Sequence, residues 1–157
     1  MAHFAEMRSD NNEILRVVVI SNNDVDNNGG ELSDQAATWV SNNIAEDEII
    51  KEELGGTYPS TYWKQSSYNH NFRGRFSFVG GTYDSVNDVF VEVKPYPSWI
   101  LASDHFTWEA PIANPDPNKT EYNPAWNDDL GRWEGTKLAD PHPKPLYYHD
   151  GSNWILS

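Results

Sequence analysis

The sequence predicts a mainly β protein: a small α+β N-terminal part, then antiparallel hairpins in an extended, proline- and aromatic-rich C-terminal stretch. Three observations predict it. Aromatic residues recur in pairs at hairpin spacing: Tyr83 and Phe90, Trp126 and Trp133, and Tyr147 and Trp154 each enclose six residues, and Trp99 and Trp108 enclose eight. Two residues seven apart can face each other across a tight turn and project from one side of the ribbon. The run Ile14 to Ser21 is rich in β-branched residues, as strands are. Nine of the ten prolines lie beyond Gly80, and no helical periodicity accompanies them.

In chain order, His3 to Met7 reads as a short strand, and Arg8 to Asn12 as a polar turn. Ile14 to Ser21 reads as a central buried strand, so the two strands open the fold as a hairpin. Asn22 to Gly30, all but one Asn, Asp or Gly, reads as a loop. Ser33 is placed to cap a helix near 33–44, with Asp34 at its positive end and Ala36, Ala37, Val40 and Ile44 as the buried stripe. Glu46 to Leu54 predicts a second short helix ending at Gly55-Gly56. Thr61 to Tyr68 and Arg75 to Val79 read as strands. A boundary at Gly80-Gly81 then divides a domain over 1–80 from an aromatic hairpin arm over 81–157.

The arm's hairpins carry their own turn signals. Asp150-Gly151 suits a two-residue turn with positive φ. Asp128 to Gly131 suits a type I turn closed by a glycine bulge. Pro97, Pro124 and Pro145 each stand two places before a leading aromatic and stiffen the entry to its hairpin. One aromatic pair contributes about 0.2–1 kcal/mol, too little to hold a lone hairpin. The hairpins must pack on one another, on the N-terminal half, or on another protein.

Composition narrows the function. The formal charge of −13 over 157 residues opposes binding to nucleic acid or an anionic membrane and favours neutral or basic partners. Cysteine is absent, so neither disulfides nor thiolate metal sites form. The start, Met1 to Glu6, lacks the basic and apolar runs of a signal peptide, and no run is long enough to cross a membrane.

Motifs for chemistry are sparse. Asp24, Asp26 and Asn28 with Gly29 match the opening of a calcium loop, but its closing bidentate position holds Gln35. An Asn/Asp-rich turn is the stronger reading, and no cofactor is expected. The histidines lack zinc-ligand spacing, no Gly-x-Ser-x-Gly elbow occurs, and the acidic run Glu46-Asp47-Glu48 suits a solvated face. The chain is therefore read as a non-enzyme. Arg73 and Arg75 form a local basic spot that could dock an acidic neighbour. The paired aromatics, Tyr83, Phe90, Trp99, Trp108, Trp126, Trp133, Tyr147 and Trp154, read as core residues that also contact a partner. Stacking on a sugar is the lesser alternative.

Several motifs occur together: Met1 to Glu6, Trp63 to Asn69 (WKQSSYN), Thr82 to Asp84, Lys94 to Trp99 (KPYPSW), and the later tryptophan pairs. In that order they resemble a family of small proteins of marine tailed phages, including cyanophages, over most of the chain. The resemblance implies a virion structural or accessory protein, made in the bacterial host cytoplasm and docked on other virion proteins. Capsid decoration or cement is the favoured form. A tail or baseplate accessory that binds a host surface glycan is the alternative. The resemblance implies no catalytic residue.

Overall fold

The computed structural model describes residues 1–157. The chain is mainly β, with eleven strands in antiparallel sheets and three short helices. No helix is long and apolar enough to cross a membrane. The chain forms two compact units, 1–93 with 104–107, and 94–103 with 108–157. The boundary thus falls at Val93/Lys94 and not at Gly80, because the hairpin that follows Gly81 packs into the first unit.

The first unit is built on β1 (Ala2–Arg8), between β2 (Ile14–Ile20) and β3 (Thr61–Ser66) in the order β2-β1-β3. Strand side chains alternate between faces. Phe4, Ala5, Glu6 and Met7 are nevertheless all buried, so both faces of β1 are covered. On one face Ala2 and Phe4 pack with Ile20, Trp63, Val25, Ala36 and Val40. The last three come from α1 (Asn22–Asn27) and α2 (Asp34–Asn43). On the other, Ala5 and Met7 pack with Ile14, Tyr83 and Phe90. Tyr83 and Phe90 stand directly opposite each other in the hairpin of β4 (Thr82–Asp84) and β5 (Val89–Val91).

The most β-branched run is therefore an edge strand, not the central one. Only Ile14 and Ile20 of β2 are buried, and Val19 is 52% exposed. The edge is pinned at Ile14, whose N–H donates to Gly81 O and whose carbonyl accepts from Gly80 N. Gly81 itself lies close against the backbone of Val91, where a Cβ would come within 2.5 Å of Val91 O.

Ser33 caps α2 through its hydroxyl, as its place in the sequence predicts. The third helix, α3 (Glu48–Glu53), is capped by Asp47 and followed by Gly55 and Gly56 at positive φ. The stretch from Asn22 is helix rather than loop: Ser21 caps it by accepting from Asp24 N, and Val25 anchors it in the core. Arg75 to Val79 forms no strand, and Ser66 Oγ accepts its only buried residue's N–H, that of Ser77.

One charged pair lies inside this apolar frame. Glu6 is 3% exposed on β1, and Arg16 Nε, across the strand pair, donates to its Oε2 at 2.5 Å. Tyr58 OH and Thr61 Oγ1 also donate to the carboxylate, and Arg16 Nη2 donates to Ala45 O. The guanidinium lies 5.3 Å from the Trp63 ring centre. Burial, and then the bond to Glu6, pushes the Tyr58 hydroxyl up to about 12.

The second unit contains a meander in the order β11-β10-β9-β8: β8 (Tyr122–Asn127), β9 (Arg132–Lys137), β10 (Tyr147–His149) and β11 (Trp154–Leu156). A separate two-stranded ribbon joins β6 (Ile100–Leu101) and β7 (Trp108–Glu109). Pro124 sits on edge strand β8, where a missing N–H costs least. Its partner is Gly135, where a Cβ would meet Asn123 O at 2.7 Å.

Removing one partner of a buried ion pair strands the other, at a cost of about 3–5 kcal/mol. Glu6→Ala is expected to lower stability by that order, read from the urea unfolding midpoint. Arg16→Met, which leaves the more deeply buried Glu6 carboxylate with only the neutral donors Tyr58 and Thr61, is expected to cost at least as much.

Candidate functional site

The second unit is held by rings more than by aliphatic side chains; its buried hydrophobic residues are Tyr122, Trp126 and Trp133. Trp126 and Trp133 stand directly opposite across β8 and β9, edge to face at 5.4 Å. Their turn sets that register: Asn127 Oδ1 accepts from Leu130 N, and Gly131 takes φ +60°. Trp126 Nε1 donates to Asp128 Oδ1 and Ser98 Oγ, and Trp133 Nε1 donates to Ile112 O. Strand and loop are thereby tied to one aromatic layer.

The other two pairs do not face each other. Tyr147 stands opposite Leu156, and Trp154 opposite His149. The Asp150 carboxylate accepts from Ser152 N and Asn153 N, which makes a four-residue loop in place of a two-residue turn. The register slips by two, so both rings keep their side of the sheet, and both reach Tyr122 instead. Tyr122 stacks on Trp154 at 4.5 Å and meets Tyr147 edge-on at 5.4 Å. In the ribbon, Trp108 stands opposite Leu101, and Trp99 lies outside the paired residues.

Trp99 and Trp108 are brought together in another way. With Trp133 and the loop residues Ile112 and Asn114 they line a groove of about 470 Å³. Trp99 packs on Trp133 at 6.4 Å and on Tyr96 at 5.3 Å. Lys94 Nζ lies 5.2 Å from the centre of the Trp108 ring. Trp99 and Trp108 are half-buried, and Ile112 is 47% exposed. Trp99 Nε1 is buried without a hydrogen-bond partner. A buried donor left in that state is costly, and a ligand acceptor would satisfy it. Chemically, the groove offers flat apolar faces and a polar rim at Asn114.

Comparison with known protein families, with curated proteins and with solved structures finds no match. The residues themselves must carry the functional reading.

The site residues predicted from sequence divide into three groups. Trp99, Trp108 and Trp133 meet at the groove. Tyr83, Phe90 and Trp126 are buried in the cores of their own units, and Tyr147 and Trp154 brace Tyr122. Arg73 and Arg75 do not form a free basic spot. Arg73 donates to Asp88 Oδ1 at 2.6 Å and to Gln65 O, and Arg75 lies 2.6 Å from Glu92. Both guanidinium groups tie the 65–75 segment to the β4–β5 hairpin.

The calcium-loop residues take a different form. Asp24 and Asp26 lie on helix α1, Asp24 accepts from Ser21 Oγ, and Asn28 Nδ2 donates to Asp24 O. Helical backbone replaces the wrapped loop that a cation would need, and no group of three or more His, Cys, Asp or Glu gathers anywhere.

Sequence reasoning missed Ile112 and Asn114, which lie in a loop with no periodic signal. It also missed Asp116, which shapes that loop. The Asp116 carboxylate accepts from the N–H groups of Tyr122, Thr120 and Glu121 and from the Thr120 hydroxyl. These bonds, that of Tyr122 foremost, hold it well below the usual carboxylate range.

A carboxyl depressed in the folded state stabilises fully above its unfolded pKa and loses that contribution as pH falls toward the folded value. The second unit is expected to loosen as pH drops below about 4, the ordinary Asp value. Asp116→Asn keeps one acceptor and cannot titrate. It is expected to be less stable at neutral pH and to show a flatter acid transition, read from the near-ultraviolet dichroism of the tryptophans.

Proposed function

We propose that this chain is a structural or accessory protein of a phage particle, docked on a larger assembly by its C-terminal hairpin repeats, as a decoration or cement protein of the capsid. The role is binding, without a catalytic step or a cofactor. The observation that carries the docking reading is the Trp99–Trp108–Trp133 groove with its unpartnered Trp99 donor. Tryptophan is enriched among the few residues that dominate binding energy at interfaces, where it is half-buried before association and fully buried after. A partner side chain with an apolar body and a carbonyl or carboxamide acceptor fits the groove. The phage assignment rests on the ordered motifs from Met1 to Trp99.

A second reading has support in the same groove. The indole faces of Trp99 and Trp108 could stack on the apolar face of a pyranose. The protein would then be a tail or baseplate accessory that attaches to a host surface glycan.

Immunogold imaging of intact particles separates the two. Label over the head is expected from decoration, and label at the tail tip from attachment. Absence of the chain from intact and disrupted particles would remove the virion reading. Trp108→Ala, at a half-exposed position, is expected to leave the fold intact and to reduce incorporation into particles at least tenfold, measured by quantitative mass spectrometry of purified virions. Unchanged incorporation would remove the groove from the docking surface.

A further inference from the structure

The first unit carries a cleft that the docking reading leaves unused. It has a volume of about 310 Å³ and opens between the start of β1, helix α1 and the segment after β3. Its rim holds Asn22, Asp26, Glu31, Asn69 and Asn71, all exposed, with no hydrogen bond from their side chains to the rest of the chain. The floor is preset. The buried Gln65 accepts from Leu32 N at 2.7 Å, and Ser67 Oγ accepts from Asn71 N at 2.9 Å.

One aromatic ring completes the cleft. Tyr68 is 69% exposed, yet its ring is held on two sides. It stacks on His3 at 5.8 Å and 23° and meets Phe76 edge-on at 5.7 Å and 75°. An aromatic ring fixed by neighbours and still open to water is a ready-made platform. A free surface tyrosine would lose side-chain entropy on binding; this one has already been ordered.

We infer that this cleft is a saccharide-binding site, and that its ligand is a neutral pyranose oligosaccharide. A pyranose has an apolar C–H face for the Tyr68 ring and hydroxyls around its edge. Carboxamides both donate and accept, and carboxylates accept from adjacent hydroxyls, so the rim matches a polyol. Asp26, Glu31 and the net charge of −13 repel uronates and sulfated sugars. The volume lies at the small end of the range for ligand sites, which suits one or two sugar rings. The inference concerns the first unit only and stands apart from the docking role of the second.

The test uses the full chain on an array of neutral, amino and anionic oligosaccharides, with oligolysine as a basic-peptide control. The best neutral binder is then titrated while amide shifts are followed by NMR. Saturable shifts are expected in 22–31 and 65–72. Tyr68→Ala and Asp26→Ala, both at exposed positions, are each expected to weaken binding about tenfold, the loss of roughly one good ring or charged contact. Their amide spectra should otherwise match that of the parent chain. Retention of no neutral glycan overturns the inference, and so does a response to oligolysine alone. Sugar binding that Trp108→Ala removes and Tyr68→Ala spares also overturns it, and would move the glycan to the second unit's groove and favour the tail-attachment reading.

Discussion

The first unit depends on one buried ion pair. Glu6 sits on the central strand among apolar neighbours, where an unpaired carboxylate would be untenable. Arg16, Tyr58 and Thr61 satisfy it, and Arg16 in turn holds the carbonyl of Ala45 after helix α2. Four separate stretches of chain are thereby placed by one carboxylate. A well-packed apolar cluster would supply similar energy without that directional constraint. Here the pair fixes which residue of β2 faces which residue of β1, just where a bulge after Glu6 shifts the register.

The second unit meets the same need for order with rings. Its strands are short, and proline interrupts their approaches, so little aliphatic surface can be buried. Tyr122, Trp126 and Trp133 bury large faces instead, and the indole N–H groups of the two tryptophans reach defined acceptors. Gly135 leaves its face of β9 without a side chain, and Tyr122 from β8 stacks on Trp154 from β11 across the width of the sheet. Trp99 and Trp108 are only half-buried beside that layer, and with Trp133 they line the groove.

Local signals were legible in the sequence, and long-range ones were not. Ser33 with the helically spaced stripe that follows specifies α2, because cap and stripe lie within one helix. Trp126 facing Trp133 follows from a turn whose residues lie between them. Tyr147 and Trp154 fail by the same logic, since the Asp150 side chain captures two backbone donors and lengthens the loop. The helix at Asn22 carried a readable mark: a Ser at position 21 with an acid three residues on, before an apolar anchor at Val25. Composition hid it, because a run of Asn and Asp resembles a turn. The edge position of β2 had no local mark at all. Strand order depends on β3, some forty residues later, pairing with the free edge of β1 and not with β2. The candidate sites share this property. Asn22 and Asn71, or Trp99 and Ile112, become neighbours only through the folded chain.

Charge then limits what either surface can hold. At least eight of the eleven Lys and Arg residues are ion-paired within the chain: Arg8, Arg16, Lys51, Lys64, Arg73, Arg75, Arg132 and Lys137. Of the others, Lys94 lies over Trp108, and Lys144 donates to the carbonyls of Lys137 and Leu138. The cations are spent on internal structure, and the acidic excess is left to the surface. A phosphate backbone or a sulfated polymer would meet repulsion with no cluster of cations to offset it. Binding must therefore come from apolar faces and hydrogen bonds, and those are the chemistries that the tryptophan groove and the Tyr68 cleft present.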